Sequence, residues 1–223
     1  MALLHRAQLQ PSKTELISGW LAAQPWFVAA SSTDGELEKV ASFRFDDPAG
    51  EVGIETLLVC AGGGPVMQVP LTYRASPLDG AEASLIGTME HSVLGTRWTY
   101  DGCGDPVYLA ALANAIVTGG SEAEQYYEID GVRTTKPDST HVRGSGAPGS
   151  SVPSIVDAVV STNGAGTPGS ATLIQSAGCR LSVIRYPVAS EAQTDATDGL
   201  QSLIGSWDGL EGRAVLATMT VRG

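Results

Sequence analysis

The chain has 223 residues, 43% of them hydrophobic and 17% charged, which fits a folded unit with a sizeable core and excludes a disordered tail. Thirteen basic residues, only three of them lysine, stand against 24 acidic ones, and the formal net charge of -11 argues against a nucleic-acid or anionic-membrane partner. The opening "MALLHRAQLQ" is too short and too interrupted by His5 and Arg6 for a signal segment, and no apolar run reaches the length of about 18 residues that spans a membrane.

"SKTE" at 12–15 has the S-x-x-E form of a capping box, so a helix is predicted from here. Leu16, Ile17, Trp20 and Leu21 recur on one of its faces, and Pro25 predicts its end near Gln24, with Trp26 and Phe27 just beyond. "ELEKVASFRF", "VGIETLLVCA" and "VMQVPLTYRA" are rich in β-branched and aromatic residues and are separated by "DDPAG" and "GGGP", so they predict an antiparallel meander. "SLIGTMEHSV" and "RWTYDG" predict further strands. In "DPVYLAALANAIVTGG" the period becomes helical, with Asp105 as N-cap, Pro106 at the first helical position and Gly119 and Gly120 as the stop. Tyr108, Leu109, Leu112 and Ile116 form its apolar stripe.

From about Asp130 to Pro153 the periodicity fades and Gly, Pro and Ser accumulate, which predicts a mobile connector. Beyond it, "SIVDAVVST", "ATLIQSA", "CRLSVIRYPV", "SLIGSW" and "RAVLATMTV" predict strands. The predicted fold is α+β: a curved, mainly antiparallel sheet covered by two helices, over residues 1–130, then a connector at 131–153 and a β-rich C-terminal extension, 154–223, packed on the same unit.

Few patterns carry chemistry. Cys60, Cys103 and Cys179 are odd in number and far apart, with no C-x-x-C pair, so neither a disulfide framework nor a zinc site is indicated, and reduced thiols fit a cytoplasmic protein. Gly144, Gly146 and Gly149 match G-x-G-x-x-G in "GSGAPG", but Pro148 and "SSVPS" do not open the helix that a dinucleotide pyrophosphate needs. No Walker A lysine and no G-x-S-x-G is present. His5, His91 and His141 lie outside any H-E-x-x-H helix, and Glu90 and His91, as neighbours on a strand, point to opposite faces. The expectation is of no catalytic residue, no metal and no cofactor.

"GWLAAQPWF" and the run "SLIGTMEHSVLGTRWTYDGCGDPVYLAALANAIVTGG" carry a family resemblance. The first has a tryptophan-leucine start, a glutamine and an aromatic pair. The second orders an L-I-G strand, a Y-D strand end, a D-P helix start and a glycine stop. Over residues 12–125 the chain resembles the N-terminal cap of actinobacterial maltokinases, but the part of the chain after residue 130 does not resemble a kinase lobe.

The resemblance implies a non-catalytic accessory or regulatory module acting with a sugar kinase or another enzyme of α-glucan metabolism. The alternative is a small-molecule (sugar) binder or divergent enzyme with an unrecognised pocket. Trp20, Gln24, Trp26, Phe27, Arg97, Trp98 and Asp101 are the candidate partner or ligand surface. The aromatic pair has three readings: core plug, which would bury Trp20 and Trp26, docking surface, or floor of a sugar site. Asp105 is most simply a helix cap, and Arg97 is expected to pair with a nearby carboxylate.

Overall fold

A computed structural model describes residues 2–4, 7–28, 36–129, 132–137, 139–164, 166–190 and 199–221. The elements in chain order are β1 (Ala2–Leu4), β2 (Leu9–Gln10), α1 (Lys13–Leu21), β3 (Leu37–Phe45), β4 (Gly53–Ala61), β5 (Met67–Arg74), β6 (Leu85–His91), β7 (Gly95–Asp101) and α2 (Pro106–Thr118). They continue with β8 (Gln125–Ile129), β9 (Val132–Thr135), β10 (Thr140–Gly144), β11 (Val159–Asn163), β12 (Ala171–Gln175), β13 (Cys179–Ile184), β14 (Ala189–Ser190), β15 (Leu200–Trp207) and β16 (Arg213–Val221). The architecture is broadly α+β and mostly strand.

The first half forms a six-stranded antiparallel sheet in the order β2-β6-β7-β5-β4-β3. The predicted meander holds for β3, β4 and β5, after which β7 rather than β6 takes the place beside β5. This sheet is strongly curled, since Leu9 on one edge strand and Arg44 on the other line the same groove. A second sheet in the order β10-β15-β16-β13-β12-β11, with β14 added on β16, carries the C-terminal half. A small sheet, β1-β8-β9, joins the two ends of the first half through a parallel β1–β8 pair.

The capping box of α1 forms in full, with Ser12 accepting from the Glu15 amide and Glu15 accepting from the Ser12 amide. The helix stops at Leu21, earlier than the proline predicts, and three short turns carry the chain through Ala23, Gln24 and Phe27. Ile17 and Leu21 pack with Leu57, Val59, Val69 and Leu71 on one face of the curled sheet. Asp105 caps α2, Pro106 follows it, and Gly119 ends the helix in the left-handed conformation (φ 69°). The buried stripe of α2 shares one core cluster with Phe43, Ile54 and Leu58 of the first sheet and with Leu181, Leu203 and Leu216 of the second. One core therefore runs through both halves of the chain.

The stretch predicted as a connector contains β9 and β10, and β10 is an edge strand paired with β15. In "THVRG" Thr140, Val142 and Gly144 are buried while His141 and Arg143 are exposed, so a period of two is present but carried by small and polar residues. Gly144 and Gly146 of "GSGAPG" serve close approach, whereas Gly149 takes a left-handed turn conformation (φ 82°) in open space. A Cβ on Gly144 would lie 1.9 Å from the Ala115 carbonyl oxygen, and one on Gly146 would lie 1.9 Å from that of Val117. The Gly146 and Ala147 amides donate to the Ile116 and Val117 carbonyls and satisfy the end of α2. His5, Arg6, Asp130, Gly131 and Asp138 lie outside the described residues.

Candidate functional site

Two charged clusters stand out, one sealed in the core and one at an open groove. The sealed cluster begins at the helix end. Trp26 is 1% exposed, packs edge-on against Trp20 (centroids 5.9 Å apart) and Tyr186 (6.2 Å), and lies under the Arg185 guanidinium at 4.7 Å. Arg185 has no exposed surface. It donates to the Asp101 carboxylate, to the Thr172 hydroxyl (2.8 Å), to the Gln68 carbonyl (3.4 Å) and to Cys103 Sγ (3.3 Å), so its charge is paired on every side. Burial pushes the Cys103 thiol well above its ordinary range, with the Arg185 charge opposing and the Asp101 charge adding to the shift.

The open cluster joins Lys13, the first residue of α1, to Arg44 of β3, Glu55 of β4 and Tyr73 of β5. Directly paired strand residues share a face, and the register Arg44–Glu55–Leu71 places Arg44 and Glu55 side by side. One oxygen of Glu55 accepts from Lys13 Nζ, from Arg44 (3.0 Å) and from the Tyr73 hydroxyl (3.0 Å). Burial alone would raise the Glu55 carboxyl, but Arg44, Lys13 and Tyr73 together hold it at about 2. Burial of the Lys13 ammonium outweighs the pull of Glu55, so Lys13 titrates below its ordinary value. Burial, followed by the Glu55 charge, raises Tyr73.

This cluster lines a groove of about 830 Å³ together with residues of both edge strands of the curled sheet and with Gln125, Tyr127 and Lys136. The volume lies within the range of small-molecule sites. Lys13, Lys39, Arg44, Arg97 and Lys136 all line it, so every lysine of the chain is here. Asp46, Asp47, Glu51 and Glu55 are its acidic residues. Asp47 turns to its own loop and accepts from the Ala49, Glu51 and Val52 amides.

The structure divides the candidate residues taken from the sequence. Trp20, Gln24 and Phe27 are half-buried around the helix end, where Gln24 donates to the Trp20 carbonyl at 3.3 Å. Trp26 and Asp101, the latter 8% exposed, are core residues bridged by Arg185. Asp101 also accepts from the Cys103 amide (3.1 Å). Arg97 lines the groove, donates to the Thr96 carbonyl (3.3 Å) and makes no ion pair with a described carboxylate. Trp98 is half-buried and pairs with Arg74 and Thr88 across β7.

Asp105 is a cap and an ion-pair centre at once. Burial opposes its charge, but the Arg74 fork (2.7 Å twice) and Thr72 (2.7 Å) outweigh it and lower its carboxyl. His91 accepts from the Val93 and Leu94 amides of the β6–β7 turn, while Glu90 accepts from Thr96. The residues that sequence patterns did not single out are Lys13, Lys39, Arg44, Glu55, Tyr73, Lys136 and Arg185. The scarcity of lysine was the available signal, but only the fold shows that the three converge.

No helix among the described residues is long and apolar enough to cross a membrane. No curated protein matches the chain. Residues 20–105, from Trp20 on α1 to the Asp105 cap of α2, match the family model of the maltokinase N-terminal cap domain.

Proposed function

We propose that the chain is a non-catalytic, cap-like accessory or regulatory module that acts with a sugar kinase or another enzyme of α-glucan metabolism. The match of residues 20–105 to the maltokinase N-terminal cap domain carries this reading. The matched segment contributes to the core that runs through both halves, so it would meet a partner as part of a rigid body. Its partner surface is the half-exposed rim around the sealed cluster: Trp20, Gln24 and Phe27, with Trp98 and Arg97 further along the sheet. Trp26 and Asp101 support that rim from within. The cysteines are free, which suits the cytoplasm.

The second reading, a small-molecule binder, is favoured by the groove. Affinity capture from the native cell, read by mass spectrometry, tests the first. Enrichment of a sugar kinase or an α-glucan enzyme, reduced by Trp20→Ala and Phe27→Ala, is expected. Enrichment of neither class would refute it.

A further inference from the structure

We infer that the groove at the edge of the curled sheet binds the phosphomonoester of a small hydroxylated molecule, the class to which sugar phosphates belong. The inference goes beyond the accessory role and does not depend on it.

Charge is unevenly distributed over the molecule. In a chain with nearly two acidic residues for each basic one, the groove gathers five of 13 basic residues and four of 24 acidic ones. A protein surface of this sign repels anions, so a local excess of cations must offset the surrounding field wherever it gathers.

The pairing of these charges adds to the imbalance. Glu55 satisfies only one unit of charge, yet both Lys13 and Arg44 are directed at one of its oxygens, which leaves that cluster net positive. Lys39, Lys136 and Arg97 make no ion pair with a described carboxylate. Ammonium groups on long stems lose rotamer freedom when they are held near one another, and they gain from it only when an anion joins them.

Two further features identify the kind of anion. A planar carboxylate is matched best by an arginine fork, as Arg74 matches Asp105 elsewhere in this molecule. The groove instead offers ammonium point charges from separate elements, Lys13 on α1, Lys39 on β3 and Lys136 after β9, beside the guanidinium of Arg97 on β7. A phosphoryl group, with a charge near −2 at neutral pH and three acceptor oxygens, can accept from several such donors at once. Glu51, exposed on the groove lining, supplies an acceptor for the hydroxyls of such a body.

Lys13 and Lys136 lie outside residues 20–105, so this charge set is not contained in the matched segment. The volume of about 830 Å³ admits a ligand of sugar-phosphate size.

Isothermal titration calorimetry of the full chain at low ionic strength tests the inference, with glucose 6-phosphate as probe and glucose, glucuronate and inorganic phosphate as comparisons. Glucose 6-phosphate is expected to bind, more weakly as salt is added, and to bind more tightly than the other three. Lys39→Ala and Lys136→Ala should each weaken it by about tenfold or more while leaving the melting temperature in place.

No binding of glucose 6-phosphate, or undiminished binding by the lysine variants, would overturn the site. Glucuronate binding equally well would overturn the phosphoryl assignment. Inorganic phosphate or glucose binding equally well would overturn the two-part ligand. Because no kinase is present in the titration, failure here leaves the accessory role standing, and failure of the capture experiment leaves the groove standing.

Discussion

Two of the regions in which the described residues hold charge below the surface are built on opposite plans. Around Arg185 one cation is enclosed by a carboxylate, a hydroxyl, a carbonyl, a sulfur and an indole face, and the cluster is closed to solvent. Around Glu55 one carboxylate oxygen takes three donors, and further cations continue along an open groove. A buried ion pair repays its desolvation only when its hydrogen bonds are complete, as at Arg185. Cations left with spare capacity on an open wall contribute little to folding, and their use lies in what they attract. The difference between the regions separates residues that hold the fold from residues that serve it.

The largest expected effect is at Arg185. Arg185→Met would leave Asp101 without its cation and remove the guanidinium from Trp26, at a cost of about 3–5 kcal/mol in denaturant unfolding. A loss below about 1 kcal/mol would break the contrast from the sealed side. Glu55→Gln comes next. It would leave Lys13 and Arg44 facing each other without a carboxylate, at a cost of about 2–3 kcal/mol near neutral pH.

The pH dependence stems from the Glu55 carboxyl, held at about 2 against an ordinary 4.5. A depressed carboxyl stabilises the fold above its unfolded value, and that contribution, about 3 kcal/mol, is lost as pH falls from near 4.5 towards about 2. Stability of the wild type should therefore fall across this window more steeply than that of Glu55→Gln. Parallel curves would show that Glu55 is not the linked group. Trp20→Ala is smaller again: the side chain is half-buried, unlike that of Trp26, so about 1–2 kcal/mol is expected in the same unfolding assay. A cost equal to that of Trp26→Ala would place Trp20 wholly in the core.

Elements with a strong period and clear punctuation were legible in the sequence. The α1 capping box and the Asp105-Pro106 start and Gly119 stop of α2 formed as predicted. Strands such as β4 and β16 were visible through their apolar runs. β10 was hidden because Thr140 and Gly144 take two of its three inward positions and leave Val142 as the one apolar residue there. The glycines of "GSGAPG" look like a phosphate loop in sequence, but Gly144 and Gly146 let the backbone pass within contact of the α2 carbonyls.

The sites were less legible because they depend on register. Arg44 and Glu55 face each other only through the β3–β4 pairing, and Arg185 reaches Asp101 across 84 positions. Trp20 and Trp26 were visible as a pair, yet only packing distinguishes the half-buried ring from the enclosed one.

Denaturant unfolding of the triple variant Lys39→Ala, Arg97→Ala, Lys136→Ala tests the division of labour most directly. A change of no more than about 1 kcal/mol is expected, because these cations make no ion pair with a described carboxylate. A loss of about 3 kcal/mol or more, comparable to that of Arg185→Met, would show that the groove cations hold the fold and would contradict the division.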